Sequence, residues 1–320
     1  MVRYEFQLED LARTRFAISP MWETAAAIRA LRNPSLISLH LPWVKRIRGA
    51  ISDLDLSLAY ALLPRRGYIA DFLTPPPSTP LADFDDELEL VRSTSADQIR
   101  NDAEILIETG NPRASLRPYL DDASAAVHSL AEVLAEFWRR ALEPDWPRVR
   151  SLLEADLLYR SRRLTEAGVA MLFSDLHPRI AWANDGVEVT MHQCSEHIEL
   201  AGRGLVLVPS AFSCDKPMTM TEAPWQPTVV YPARGVALLW ESAPAPPGAL
   251  VKVLGRSRAT LLGDLDAPRS TTDLAARLGM TPGGVSQHLT ALRDSGLVSS
   301  RRNGRQVLYC RSPLADELVG

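Results

Sequence analysis

Apolar positions along this chain recur first with the spacing of helices, then with that of strands, then with that of helices again. In the first stretch Ser19-Pro20 opens a helical run through MWETAAAIRALR, and Asn33-Pro34 closes it. A second run follows Pro42, from Trp43 to Leu63. TPPPSTP, Thr74 to Pro80, favours extended polyproline geometry and reads as a surface loop within one domain. From Phe84 to Leu176 the pattern is almost wholly helical. Ser95-x-x-Gln98 reads as a capping box opening ADQIRNDAEILIE, which Gly110-Asn111-Pro112 breaks. Leu130, Val133, Leu134, Phe137 and Trp138 form one stripe of a helix ending near Pro144, and another helix spans Val149 to Ala167. Arg160, Arg162 and Arg163 on that helix read as a solvated basic face.

After His177-Pro178 the period becomes two. IAWANDGVEVT carries Asn184-Asp185-Gly186 as a hairpin turn, and HIELAGRGLVLVPSAF carries Gly202-Arg203-Gly204 as another. Pro227 to Tyr231 and Val236 to Trp240 add two more β-rich runs, so a small antiparallel sheet is expected. Ala243 to Gly248, Pro-rich and uncharged, reads as a linker.

The helical period returns in STTDLAARLGMTPGGVSQHLTALRDSGLVSSRRNGRQVLYCR, Ser270 to Arg311. Ser270 or Thr271 caps a helix carrying Leu274, Ala275 and Leu278 on one face, and Gly279 ends it. Thr281 caps the next, with Pro282 at its first position and Val285, Leu289 and Leu292 as the buried stripe. Ser286, Gln287, Thr290 and Arg293 then face outward. Gly296 stops this helix, and Asn303-Gly304 is the dipeptide of a two-residue hairpin turn flanked by Arg301, Arg302 and Arg305. Two helices joined by a short turn and followed by an arginine-tipped hairpin make a winged helix-turn-helix. Gln287 suits adenine in a major groove, Arg293 suits guanine or a phosphate, and the hairpin arginines suit phosphates or a neighbouring minor groove. Gly283 and Gly284 either let the helix start approach the DNA backbone or are simply poor helix formers. His288 reads as a capping, phosphate-contacting or packing residue.

LGRSRATLLGDL (Leu254 to Leu265), TTDLAARLGMTPGGVSQHLTALRDSGLV and RRNGRQVLYCR together resemble the DNA-binding domain of the ArsR/SmtB family of bacterial repressors, with Val285-Ser286-Gln287-His288-Leu289 matching its recognition-helix core. The resemblance covers about a fifth of the chain. ARTRFAISPMWET, AGRGLVLVPSAF and YPARGVALLW resemble the uncharacterised domain that precedes such a module in a group of actinobacterial regulators. That likeness implies a companion sensory or dimerising domain and names no ligand. The metal sites usual in the family are absent, since TTDLAARLG has no thiol and only SPLADELVG follows the wing.

Charge sharpens this picture. The net charge is −4, yet ten bases stand against four acids from Val251 to Arg311, so an acidic body carries a basic module. Three cysteines, Cys194, Cys214 and Cys310, are odd in number and widely spaced, which is not a disulfide framework. No run approaches the ~18 apolar residues of a membrane span, and the N-terminus has no apolar signal region, so a cytoplasmic protein is expected. His192-Gln193-Cys194-Ser195-Glu196-His197 is the one ligand-like cluster; on a strand His197 would point away from the others, so no metal is expected. Cys310 reads as a small buried residue rather than a redox switch. Asp85-Asp86 and Asp121-Asp122 read as solvated pairs. No GxSxG, Walker, GxGxxG or HExxH motif is present, so neither an enzyme nor a cofactor is expected.

The expected protein is α+β. A mainly helical N-terminal domain, residues 1–242 (helical over 1–177, a small antiparallel sheet over 178–242), precedes a linker, 243–248, and a winged helix-turn-helix domain, 249–320. Its DNA contacts are expected from Thr281, Gly283, Gly284, Ser286, Gln287, His288, Thr290, Arg293, Arg301, Arg302, Asn303, Gly304 and Arg305. The expected partners are a double-stranded operator and a second copy of the chain, because one module reads too few base pairs for genomic specificity. The tryptophans at 22, 43, 138, 146, 182 and 225 are candidates to line a pocket for a small-molecule effector. The alternative is a constitutive DNA-binding protein whose N-terminal domain only dimerises or binds a partner protein.

Overall fold

The computed structural model describes residues 1–33, 37–191, 195–213, 216–240, 248–266, 268–303 and 306–319. The chain forms two compact units, Met1–Pro144 with Leu152–Val236, and Asp145–Ser151 with Ala237–Gly320.

The first unit departs from the expected helical start. Its N-terminus is a strand, β1 (Val2–Glu5), followed by helix α1 (Leu8–Arg13) and the short strand β2 (Arg15–Phe16). Both strands are built into sheets with residues far along the chain. One sheet has the order β3-β4-β1-β5, with β3 (Ile180–Ala183), β4 (Gly186–Val189) and β5 (Glu196–Glu199). There β1 runs antiparallel to β4 and parallel to β5. The second sheet has the order β2-β6-β8-β7, from β6 (Val206–Ser210), β7 (Met218–Met220) and β8 (Thr228–Pro232). In it β2, β6 and β8 are parallel and β7 is antiparallel. The sheets are therefore mixed rather than antiparallel, because the partners of β1 and β2 arrive by long connections that permit parallel pairing. Val2, Tyr4, Phe173, Val187, Leu207 and Tyr231 belong to one core cluster that draws on both sheets.

Turn chemistry explains where the strands end. Asn184 and Asp185 adopt φ of 50° and 59°, the left-handed pair of a two-residue hairpin between Ala183 and Gly186, as the sequence implies. Gly202-Arg203-Gly204 is not a hairpin, since β5 before it and β6 after it lie in different sheets. It is held instead by Asp10, a fully buried carboxylate that accepts from the backbone N–H of Gln7 and of Gly204. Val236–Leu238 forms a 3-10 turn rather than a strand, the chain having turned at Gly235 with φ 78°.

The helices follow the sequence more closely. Ser19 caps α2 (Pro20–Ala30), accepting from the N–H of Trp22 at 3.0 Å, and almost every residue of this helix is buried. The run expected as one helix from Trp43 to Leu63 is two, α3 (Leu41–Ala50) and α4 (Ser57–Leu62). They are separated where the Asp55 carboxylate takes the N–H of Ser57 at 2.9 Å, a local bond that competes with helix continuation. Then come α5 (Phe84–Arg92), α6 (Ala96–Glu108), α7 (Arg113–Asp121), α8 (Ala123–Phe137) and α9 (Trp146–Ser174). Ser95 caps α6, but Gln98 turns its amide to Asp102 at 2.8 Å, so only half of the expected capping box forms. Gly168, at φ 75°, interrupts α9 just after Ala167. Arg160 is not on a solvated face. It is 1% exposed, bonded to Asp156 and Asp175, while Tyr231 donates to Asp156 at 2.8 Å. The apolar stripe of α9 could not reveal this, because a buried arginine with a carboxylate one turn before it looks like an exposed i,i+4 pair.

The second unit contains α10 (Gly248–Leu254), α11 (Arg256–Asp264), β9 (Arg269–Ser270), α12 (Thr271–Leu278), α13 (Pro282–Asp294), β10 (Val298–Asn303), β11 (Gln306–Arg311) and the two-turn α14 (Pro313–Val319). β10, β11 and β9 form a three-stranded antiparallel sheet in that order. Ala259, Leu262, Leu274, Val285, Leu289 and Leu292 are in its core. Residues 243–247 of the expected linker lie outside the described residues.

Candidate nucleic-acid interface

Two caps and two left-handed glycines mark the ends of α12 and α13. Ser270 and Asp273 close a reciprocal capping box at the start of α12. Gly279 ends that helix at φ 63°, its N–H on the Ala275 carbonyl. Thr281 then accepts from the N–H of Gly284 at 3.2 Å, with Pro282 at the first position of α13. Gly296, at φ 75°, turns the chain into β10. Val285, Leu289 and Leu292 are at most 1% exposed, and burying such side chains contributes about 1.5–3 kcal/mol each. That burial fixes which face of α13 looks outward.

Ser286, Gln287, Thr290 and Arg293 occupy the outward face, all exposed. Thr290 donates its hydroxyl to the Ser286 carbonyl at 2.9 Å, and Arg293 lies 3.3 Å from Asp294. His288 is half-buried, with its Nδ1 shielded and unpartnered among the described residues. Thr281 and Gly283 are exposed; a Cβ on Gly283 would meet nothing, whereas one on Gly284 would press on the capping Thr281 hydroxyl at 3.1 Å. The first glycine thus leaves the helix start open, and the second serves the cap.

In the hairpin Arg301 stands opposite Leu308, Arg302 opposite Val307 and Asn303 opposite Gln306. Arg301 and Arg302 are exposed and, as neighbours on a strand, point to opposite faces. Asn303 is the last rung of the ladder rather than the centre of the turn; Gly304 and Arg305 lie outside the described residues. Cys310 is half-buried rather than buried, its sulfur 3.0 Å from the Ser299 hydroxyl.

Among the described residues, Arg277, Arg269 and Arg311 are tied to carboxylates of the same unit. Arg277 grips Asp264 with two bonds of 2.8 and 2.9 Å. Arg269, 8% exposed along its side chain, donates to the Asp264 carbonyl at 2.7 Å, to Asp266 at 2.9 Å and to the Ser151 hydroxyl. Arg311 pairs with Asp316 at 2.8 Å. Sequence reading missed this clamp, because Asp264 and Arg277 are too far apart for any helical spacing to flag them. The outward bases Arg293, Arg301 and Arg302 are distinct from it.

Three of the first unit's tryptophans each pack on a different phenylalanine. Trp43 lies against Phe212 at 4.8 Å and gives its indole N–H to the Ala141 carbonyl; Trp138 stacks on Phe84 at 4.6 Å; Trp182 stacks on Phe173 at 5.6 Å. A shallow hollow of about 280 Å³ is lined by Leu58, Pro118, Asp121, Asp122, Ala125, Ala126 and Ser129. Elsewhere burial pushes the carboxyls of Glu23 and Glu87 up to about 7. Asp71 rises to about 7 through burial and the nearby Asp102, and burial holds His40 down at about 4. Asp85, Asp86, Asp121 and Asp122 are exposed. His197 bonds Glu5 at 2.8 Å, and His192, Gln193 and Cys194 lie outside the described residues. Among the described residues there is no cluster of three metal-ligating side chains, and no helix is long and apolar enough to cross a membrane.

A helix-turn-helix with an exposed polar second helix and an adjoining basic hairpin defines a class of DNA-binding module. Residues 261–300 match the family model described as bacterial regulatory protein, arsR family. Residues 110–237 match that of a family of unknown function, DUF5937. The chain therefore carries an ArsR-family helix-turn-helix near its C-terminus, behind a segment of that second family, and the first of these matches points to DNA-binding transcription regulation. No curated protein and no solved structure matches it.

Proposed function

We propose that this chain is a repressor that binds an inverted-repeat operator as a homodimer, placing α13 of each copy in successive major grooves. The observation that carries the reading is the division of α13, with Val285, Leu289 and Leu292 locked inside and Ser286, Gln287, Thr290 and Arg293 presented outward. Gln287 and Arg293 read bases; Thr281, Gly283, Gly284, Ser286, His288 and Thr290 seat the helix start. The hairpin acts as a wing whose Arg301, Arg302, Asn303, Gly304 and Arg305 meet the phosphate backbone or the minor groove. Dimerisation is supported by apolar side chains left in water on the flanking helices, Val253 at 81% exposure on α10, and Leu314 and Leu318 on α14. Genome-wide binding-site mapping followed by titration of the recovered duplex tests the reading. Purified protein that ignores this duplex at low ionic strength removes it.

In this reading the N-terminal domain binds a small-molecule effector, which acts through different affinities for DNA-competent and incompetent states of the dimer. A second reading makes that domain a dimerisation or protein-interaction module without an effector. Thermal-shift screening of metabolites separates the two. A stabilising metabolite that also changes operator affinity selects the first, and a constitutive operator complex with no stabilising metabolite selects the second.

A further inference from the structure

Several arginines of the N-terminal unit sit beside carboxylates: Arg92 with Glu89, Arg117 with Asp121, Arg140 with Asp53 and Glu136. The buried Arg160 has two, Asp156 and Asp175. Arg15, on β2, is half-buried and makes no ion pair among the described residues. Its Nη2 donates to the Pro77 carbonyl and, at 3.3 Å, to the Gln226 Oε1. Its Nη1 is sealed from solvent and has no acceptor among the described residues. Burial, with no anion beside it, pulls this guanidinium below its ordinary value. Strand register places the surrounding groups. β2, β6 and β8 run parallel, with Arg15 opposite Val206 and Val206 opposite Thr228, so the three strands start at one end of the sheet. The segment entering β8 brings Trp225 and Gln226 to that end, where Gln226 gives its amide to the Arg203 carbonyl at 2.7 Å. The half-buried Trp225 also has its indole N–H shielded, with no acceptor among the described residues.

One end of this sheet therefore carries two groups that can only donate, a guanidinium and an indole, each with a hydrogen bond unmade. Such bonds are costly to leave unmade, the more so on a charged donor. Holding the Pro77 carbonyl requires a donor but no charge, so the charge of Arg15 has no counterpart within the fold. The Gln226 oxygen is a neutral acceptor at 3.3 Å, longer than the ~2.9–3.0 Å usual for N–H···O, and an ionised oxygen competes well for the same donor. A single guanidinium charge matches the single charge of a carboxylate. We propose that Arg15 and the Trp225 indole bind the carboxylate of a small organic acid, which takes the place of the Gln226 oxygen on the guanidinium. Its role as the effector site rests on the regulatory reading given above; the binding itself does not.

The test uses the full chain, with benzoate as the probe, benzamide as its neutral counterpart, and ionic strength held constant with chloride. Benzoate is expected to move the Trp225 indole N–H resonance downfield, that resonance being assigned by its loss in Trp225→Phe. Benzamide is expected to leave it in place. Arg15→Gln should weaken benzoate by about tenfold or more, the scale of a lost charged hydrogen bond. Because Arg15→Gln also disturbs the Pro77 contact, Gln226→Glu gives an independent check: it supplies a carboxylate from within the chain and should abolish the benzoate response. Wild type with no indole shift, or a shift that persists in both variants, overturns the inference. So does an equal response to benzamide, which would make the site an apolar one. A larger response to inorganic phosphate overturns the assignment to a carboxylate. An indole shift with unchanged operator affinity keeps the site and removes only its role as effector site.

Discussion

Arg277 holds both oxygens of Asp264, a carboxylate only 3% exposed, and so ties α12 to the end of α11. Arg269 closes the same clamp from β9. Replacing Asp264 with Ala leaves two largely buried guanidinium groups without their shared anion. That should destabilise the C-terminal unit by about 3–5 kcal/mol and weaken DNA binding in parallel. Denaturant unfolding and duplex titration measure both. A loss under about 1 kcal/mol, the scale of a surface pair, would mean that the clamp does not support the module.

Readout and anchoring should separate by mutation. Gln287→Ala and Arg293→Ala are expected to cost about 1–3 kcal/mol of discrimination at one base pair while leaving non-specific binding in place. Arg301→Gln and Arg302→Gln should weaken binding to all duplexes and lower the logarithmic salt slope by about 0.9 per lost contact. Hairpin variants that change only the melting temperature would show that the hairpin is structural.

Gly204 has φ +66°, and an added Cβ would lie 2.6 Å from the carbonyl carbon of Arg13 and 2.7 Å from its oxygen. Gly204→Ala must adopt a left-handed backbone and displace main chain, so a destabilisation of about 2 kcal/mol or more is expected. Gly263→Ala, in α11 with open space around it, should instead stabilise by up to about 1 kcal/mol. Melting curves that rank the two the other way would contradict the packing described around Asp10.

Glu23 is fully buried, accepts from the backbone N–H groups of Ala211 and Phe212, and has its carboxyl pushed up to about 7 from an ordinary 4.5. Between those two values the folded chain keeps a proton that the unfolded chain has released. Its contribution is therefore greatest below pH 4.5, falls as pH rises through the window, and is flat above 7. Relative to Glu23→Gln, which cannot ionise, wild type should lose about 3 kcal/mol across that window. Urea unfolding of both proteins at the two ends of the window measures the difference, and parallel profiles would show that Glu23 titrates normally.

The C-terminal module was legible because each boundary has a local chemical cause. Ser270, Gly279, Thr281 and Gly296 act within one turn of themselves, and short-range signals survive in a sequence. Strands β1 and β2, and with them the mixed character of the N-terminal sheets, were not legible for the opposite reason. Val2, Tyr4 and Phe6 do alternate, but over too few positions to outweigh the helical runs that follow, and the partners of β1 lie some 190 residues away. Arg160 and Asp264 were missed because burial of a charge depends on what packs over it. At the interface itself, the outward set on α13 could be read from helical spacing, whereas the separation of Arg301 and Arg302 onto two faces required the strand register.

The placement of β1 between β4 and β5 has a consequence in time. This strand leaves the ribosome well before its neighbours, which emerge only after roughly 190 further residues, about ten to forty seconds later at ordinary rates of synthesis. Through that interval Val2 and Tyr4, both destined for complete enclosure, remain in water. Nascent chains that stall or terminate before Glu199 lack the β5 partner for this strand and are the natural clients of chaperones that shield apolar segments during translation.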